Sequence, residues 1–479
     1  MTTFSGTKKN IMMSIGKVAA FLCLLFIFCL PTFADHHEKN PSPPNIVVIF
    51  TDDLGYGDLA CFGHPTIKTP NLDKLAAEGQ KWTSFYAAAN VCTPSRAGLL
   101  TGRFPARTGM ASTKRWVLFP DSAGGLPQSE ITIAKALKKK NYATAAIGKW
   151  HLGHLPEFLP TSHGFDTYYG IPYSNDMDRL ATAPKRRQAF LKPRTEYWNV
   201  PLMRDEKIIE RPADQTTITK RFTEEAVFFI NKNKSKPFFI YLAHNLPHVP
   251  LFTSEAFSGK SRRGLYGDVI EEIDWSVGKV IEALKANALD KNTLVVFTSD
   301  NGPWLTFNEQ GGSAGLLRDG KGSCWEGGMR EPTIFWGPGI VKPGIVQGIG
   351  STLDLFPTIL SLAKIQVPGD RIFDGYNLAP TLRGESASPR NEMFFYHGDE
   401  LYAARVGSYK AHFKTHTAYR GQKHISQDPP LLFNLDIDPS EKHELKSQGH
   451  PGFQAIQKAI TEHQKNMIMP PSYLTERIQ

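Results

Sequence analysis

Four short apolar runs, each ending in a polar cluster, restrict this chain to an α/β architecture. Asn45-Ile46-Val47-Val48-Ile49-Phe50 is rich in β-branched residues, follows Pro43 and Pro44, and runs into Thr51-Asp52-Asp53. Thr293 through Thr298 repeats the pattern and delivers Ser299-Asp300-Asn301. Tyr142 through Ile147 leads to Gly148-Lys149-Trp150-His151, and Phe238 through Leu242 leads to His244 and, past Pro247, to His248. Such runs, bounded by turn residues, read as buried strands. In an open α/β sheet ligands bind beyond the carboxyl ends of the strands, so four sequence-distant clusters can converge on one pocket.

The intervening segments carry helical spacing. Thr69-Pro70-Asn71 opens a helix closed by Gly79, and Ile133, Ala134 and Leu137 mark another between Ile131 and Lys139. Asp214 precedes Ile218, Phe222, Ala226 and Phe229, and a longer helix runs through Val269, Ile273, Val277, Val280, Ile281 and Leu284. Their stripes read as sheet-covering faces. The alternation predicts a mainly parallel sheet covered by helices on both faces. With 479 residues, 41% of them hydrophobic, the chain can bury a large core. A small, polar turn at Gly384-Glu385-Ser386-Ala387-Ser388-Pro389 places a boundary between a large α/β domain, residues 35–385, and a smaller C-terminal α+β subdomain, residues 386–479. There Met393–Tyr396, Tyr402–Val406 and Leu431–Leu435 read as short strands, followed by a helix from about Phe453.

Lys8, Lys9 and Lys17 precede an apolar stretch from Val18 to Leu30, and Thr32-Phe33-Ala34 offers a cleavage site. This is the pattern of a secretory signal over residues 1–34, cleaved after Ala34, and it predicts a secreted or periplasmic protein with no stable membrane span once the signal is removed. Losing three lysines lowers the formal charge from +9 to +6. Neither an extended basic run nor a nucleic-acid motif is present, so no nucleic-acid partner is expected. Of five cysteines, Cys23 and Cys29 lie in the signal, leaving Cys61, Cys92 and Cys324. That excludes a disulfide-rich scaffold, while a Cys61–Cys324 bridge stays open.

Cys92 opens the stretch CTPSRAGLLTGR. Thr93 reads as an N-cap and Pro94 as the first helical residue, which puts Cys92 at the positive end of a helix dipole with Arg96 one turn away. A lone cysteine there is usually structural. The whole string, however, resembles the signature of type I sulfatases, members of the alkaline-phosphatase-like superfamily in which this cysteine is oxidised to formylglycine (3-oxoalanine). Other segments carry the same resemblance: Gly148-Lys149-Trp150-His151-Leu152-Gly153, Pro247-His248-Val249-Pro250, Gly320-Lys321-Gly322, Ile171 through Asp176, and LLFNLDIDPSEKHEL near the C-terminus. Together they span residues 44 to about 445.

Taken alone, an Asp-Asp pair after a strand is more often a turn or a helix cap than a ligand pair. The resemblance implies instead that Asp52, Asp53, Asp300 and Asn301, with the Cys92-derived group, hold a metal. Such hard oxygen donors favour calcium, with magnesium second. It further implies sulfate contacts from Lys149, Ser174, His248 and Lys321 and a charge-neutralising role for Arg96. In the implied mechanism the formylglycine hydrate attacks sulfur and forms a covalent sulfo-enzyme. His248 or Lys321 protonates the departing oxygen, and His151 deprotonates the second hydroxyl to expel sulfate. A sulfatase-maturing, formylglycine-generating enzyme is the implied protein partner.

Three other readings compete with hydrolysis of an aryl sulfate or a sulfated carbohydrate. A phosphonate or phosphate ester hydrolase shares the fold, a non-catalytic sulfated-glycan binder would result if Cys92 stayed unmodified, and a structural calcium protein would leave Lys149, His151 and Lys321 without a role. Trp116, Trp198 and Trp304 are candidates to stack on a substrate ring.

Overall fold

The computed structural model describes residues 42–185, 187–417 and 424–478. The segment read as a signal, with Cys23 and Cys29, lies outside them. Ten strands form one sheet: β1 (Asn45–Thr51), β2 (Gln80–Tyr86), β3 (Ala143–Gly148), β4 (Thr167–Gly170), β5 (Leu202–Arg204), β6 (Lys207–Glu210), β7 (Phe238–Ala243), β8 (Thr293–Ser299), β9 (Arg330–Trp336) and β10 (Gly344–Ser351). Their spatial order is β10-β2-β9-β8-β1-β7-β3-β4-β5-β6. The four strands read from apolar runs are therefore neighbours, β8-β1-β7-β3, and all pair in parallel. Thr51 is in register with Ser299, and Gly148 with Ala243, so the polar clusters that follow leave the sheet along one edge.

Alternation along β1 sends side chains to two cores. Val47 and Ile49 join Phe222, Ala226, Ile273 and Val277 of helices Ile218–Asn233 and Leu265–Ala286. Ile46, Val48 and Phe50 join Leu99, Leu100, Ile133 and Ile359 on the other face. Burial on both faces is why these strands are continuously apolar. The parallel expectation holds for this centre. The sheet is mainly, not wholly, parallel: β9 runs antiparallel to both β8 and β2, and β4-β5-β6 form antiparallel pairs, while β10-β2 and β3-β4 are parallel.

A second sheet, β11 (Glu392–His397), β12 (Glu400–Val406), β13 (Tyr409–Thr415) and β14 (Ile425–Asn434), is antiparallel throughout, and helix Pro451–Lys465 follows it. It shares a core with the larger sheet through Tyr86, Ala88 and Phe104. A buried polar network reinforces the junction. Glu326 accepts from Lys410 Nζ at 2.8 Å and from Tyr86 Oη at 2.7 Å, Lys410 also lies 3.2 Å from Glu441, and Glu441 meets His412 Nε2 at 2.7 Å. Burial opposes the Glu326 charge, but Lys410, Arg330 and Arg405 prevail and lower its pKa to about 2. Cys61, Cys92 and Cys324 are all free, which settles the open disulfide question. No helix among the described residues is long and apolar enough to cross a membrane.

Candidate active site

Cys92 is the first residue of helix Cys92–Thr101, every residue of which is buried. The cap differs from the sequence expectation. Val91, extended at φ −147° and ψ 160°, precedes the helix without a side-chain cap. Cys92 itself already has a helical backbone, so Thr93 falls inside and its hydroxyl is used elsewhere. Thr93 Oγ1 donates to the carbonyl of His151 at 3.0 Å and accepts from Leu118 N–H at 3.2 Å. Leu118 O in turn meets His151 Nε2 at 2.8 Å.

Around Cys92 the four strand ends converge. Asp52 follows β1 and accepts from Lys149 Nζ, beyond β3, at 2.5 Å. Arg96, fully buried, donates to Asp300 Oδ2 from Nε at 3.1 Å and from Nη2 at 2.8 Å, and to Lys149 O from Nη1 at 3.1 Å. Asp300 Oδ1 receives Asp53 N–H at 3.2 Å, and Asn301 Nδ2 donates to Asp53 Oδ1 at 2.7 Å. Lys321 Nζ lies 2.7 Å from Asp53 Oδ1 and 4.5 Å from the ring centroid of Trp304. Ser174 bridges Lys149 Nζ at 3.2 Å and His248 Nε2 at 3.4 Å. Every residue assigned to the site from sequence is thus within one connected, buried cluster. His244 is not in it; its ring faces Ser276 on helix Leu265–Ala286.

Carboxylates so crowded cannot all carry charge comfortably. Burial, against the pull of Lys321, raises Asp53 to about 6, and burial with the neighbouring Asp52 charge raises Asp300 to about 7. Asp52 goes the other way: burial opposes its charge, yet the cationic Lys149 and Arg96 hold it well below the usual range. Asp52 Oδ1 and Asn301 Oδ1 are buried oxygens without a hydrogen-bond partner. Donor atoms of Asp52, Cys92 and Asp300 come within 4.8 Å of one another, as do those of Asp52, Asp53 and His248. Unspent hard oxygens beside carboxylates that resist ionisation fit a divalent cation.

The two histidines present opposite nitrogens. His151, at a left-handed φ of 58°, can only donate from Nε2 to the Leu118 carbonyl, which leaves the lone pair on buried, unpartnered Nδ1. His248 donates from Nδ1 to Val249 O at 2.5 Å and turns Nε2 to Ser174 and, at 3.7 Å, to Asp53. Burial first, then Lys149 for His151 and Lys321 for His248, hold both rings well below the ordinary range and so neutral. Burial also pushes the Cys92 thiol up to about 11 despite Lys149 and Lys321. The helix N-terminus does not make a thiolate of it.

Sequence reasoning gave no role to Asp176 or Asn90, and only a capping role to Thr93; the structure brings all three here. Thr93 holds His151 in place. Asp176, half-buried beyond Ser174, has its carboxyl raised by burial and faces Lys321 and Lys149. Asn90 donates to Gly322 O at 3.0 Å beside Lys321. Of the tryptophans, Trp304 packs 5.2 Å from His248 and Trp116 is partly exposed, but Trp198 is wholly buried against Phe190 and cannot stack on a ligand.

A sulfatase family model matches residues 44–365, and a model of the C-terminal region of aryl-sulfatase matches residues 388–478. The chain is 41% identical to arylsulfatase A of Homo sapiens over 431 residues, covering 84% of this chain and 83% of that protein. It is 38% identical to N-acetylgalactosamine-6-sulfatase of Canis lupus familiaris over 468 residues, covering 89% and 87%. The solved structure of PsFucS1 sulfatase from Pseudoalteromonas sp. superposes with a TM-score of 0.81 at 29% identity, covering 90% of this chain and 93% of that one.

Proposed function

This chain belongs to the sulfatase family and is a sulfuric ester hydrolase; from that premise we propose that it cleaves aryl or carbohydrate sulfate monoesters with Cys92 converted to formylglycine. The observation that carries the proposal is the buried Cys92 at a helix start, its thiol pushed up to about 11, ringed by Lys149, Asp52 and Asp300. A protonated thiol is a poor nucleophile and has no second hydroxyl with which to eject sulfate. Formylglycine, once hydrated, would supply two hydroxyls on one carbon, one to attack sulfur as the ester S–O bond breaks and one whose deprotonation would re-form the aldehyde as the C–O bond to sulfate breaks. A divalent cation held by Asp52, Asp53, Asp300 and Asn301, calcium by preference, would draw charge from the sulfate oxygens.

The remaining roles belong to side chains of this chain. Arg96 fixes Asp300 through two hydrogen bonds, so that carboxylate can orient the attacking hydroxyl. Lys149, Ser174 and Lys321 supply donors for the sulfate oxygens in a site closed to bulk water, where such contacts are strongest. Neutral His248 has spent its proton on Val249 O, so Lys321 donates the proton to the leaving oxygen and His248 positions Ser174. His151 Nδ1, held as a lone pair, takes the proton of the second hydroxyl. The leader over residues 1–34 supports export, and a formylglycine-generating enzyme would act on Cys92 before the helix closes over it. The test is hydrolysis of a panel of aryl sulfates and sulfated sugars by protein whose Cys92 conversion has been measured by peptide mass spectrometry; no turnover by fully converted, metal-loaded protein would overturn the reading.

A further inference from the structure

Two cationic clefts are joined to the sulfate site through one intervening residue each, Leu118 and Trp304, and neither belongs to the machinery above. One, of about 770 Å³, is lined by Lys114, Arg115, Trp116, Arg179 and Arg477 with Asp121 and Asp178. The other, of about 670 Å³, shares Arg179 and adds Lys185, Arg187, Phe190 and Phe307 with no carboxylate. Six cationic side chains thus face two acids. Asp178 is already bound to Arg211 at 2.8 Å, outside both clefts, and Asp121 to Arg115. Among the described residues, no salt bridge pairs Lys114, Lys185 or Arg187 with an acid.

Both clefts abut the reacting residues. Trp116 and Val117 of the first precede Leu118, the residue that holds His151, and the Trp116 ring lies 4.5 Å from His397, whose Nδ1 is 3.1 Å from Asn90 beside the Lys321 loop. Phe307 of the second packs 4.8 Å from Trp304, which in turn covers Lys321 and meets His248. Leu118 and Trp304 are thus the layer between the residues of the sulfate site and two positive, partly aromatic walls.

Resting on the sulfatase reading above, the geometry points to these clefts as subsites for further anionic groups, sulfate or carboxylate, on sugars linked to the one being desulfated. The favoured substrate is a polyanionic glycan, not an isolated aryl or lipid sulfate. Guanidinium groups suit sulfate and carboxylate by forked hydrogen bonding, lysines add point charge, and the half-buried Trp116 and Phe190 offer apolar faces of the kind sugar rings pack on. Excess positive charge on walls beside the site also raises the local concentration of such a chain.

The experiment compares the metal-loaded, converted enzyme with the variant Lys114→Ala/Arg179→Ala/Lys185→Ala, all three being surface positions. Short dextran sulfate fragments should compete with 4-nitrophenyl sulfate in the parent enzyme while neutral dextran does not. In the variant that competition should weaken about tenfold, roughly twofold for each of the three exposed ion contacts removed, with kcat/KM for 4-nitrophenyl sulfate itself within about twofold of the parent. Raising salt from about 50 to about 200 mM should weaken it further in the parent than in the variant. Equal competition by dextran sulfate in both proteins, or equal competition by neutral dextran, would overturn the inference. Direct binding of fluorescein-labelled dextran sulfate, read by anisotropy, separates the two readings: absent hydrolysis would sink the sulfatase mechanism, whereas unchanged binding in the variant would sink the subsites alone.

Discussion

Replacing Thr93 by valine would separate a positioning role from a capping one. Valine keeps the shape and removes both the donor to His151 O at 3.0 Å and the acceptor for Leu118 N–H at 3.2 Å. Two buried backbone groups would then lack a partner, at about 1–3 kcal/mol each. Allowing for partial relaxation, about 2–4 kcal/mol of stability should go, a fall of a few degrees in melting midpoint. The larger effect should be catalytic. His151 sits at an unfavourable left-handed φ of 58°, held there by the Thr93 and Leu118 contacts, and its base function is worth roughly 10²- to 10⁴-fold. Losing part of that alignment should lower kcat by about 10- to 100-fold with KM little changed. Steady-state kinetics on 4-nitrophenyl sulfate, differential scanning fluorimetry and mass spectrometry of the Cys92 peptide read the three consequences apart. A variant that melts lower yet keeps kcat within twofold, at equal Cys92 conversion, would show that Thr93 does not position His151.

Three further outcomes follow from the same geometry. Cys92→Ser, and any unconverted fraction, should show no multiple turnover, and an active preparation lacking aldehyde or hydrate at Cys92 by mass spectrometry would refute the nucleophile. Asp300→Ala should lose bound divalent ion and activity together, since it also strips buried Arg96 of two hydrogen bonds; unchanged metal content by elemental analysis would contradict the ligand set. His151→Ala should release about one equivalent of alcohol rapidly and then stall, whereas Lys321→Met should slow the first step most for poor alcohol leaving groups. Rapid-quench data in which His248→Ala, and not Lys321→Met, shows that leaving-group dependence would transfer the acid role to His248.

The centre of the fold was legible because β1, β3, β7 and β8 are buried on both faces and so are mostly apolar, with buried, hydrogen-bonded exceptions such as Asn45, Thr144 and Thr293. Their neighbours were not. β2 reads Gln-Lys-Trp-Thr-Ser-Phe-Tyr and β9 contains Pro332, a residue that argues against a strand interior. Packing against two partners overrode that local signal. Hairpin β5-β6 has strands of three and four residues, too short for periodicity to register. In the site, residues that follow a strand end or carry a motif were identifiable, while Thr93 and Asp176 were hidden: their partners are set by where Leu118, His151, Lys149 and Lys321 arrive in space, a tertiary fact with no sequence spacing. The helix cap misled because Thr93-Pro94 fits a helix start two residues later than the true one at Val91-Cys92.

The buried Glu326–Lys410–Glu441–His412 network has a genetic consequence. A stop codon anywhere between Gly384 and Tyr409 leaves every reactive residue encoded, yet deletes Lys410, His412 and Glu441, takes from Glu326 its lysine partner and uncovers the core face shared by Tyr86, Ala88 and Phe104 beside the segment that carries Lys321. Late truncations should therefore behave as null alleles, cleared by quality control instead of persisting as slow enzymes.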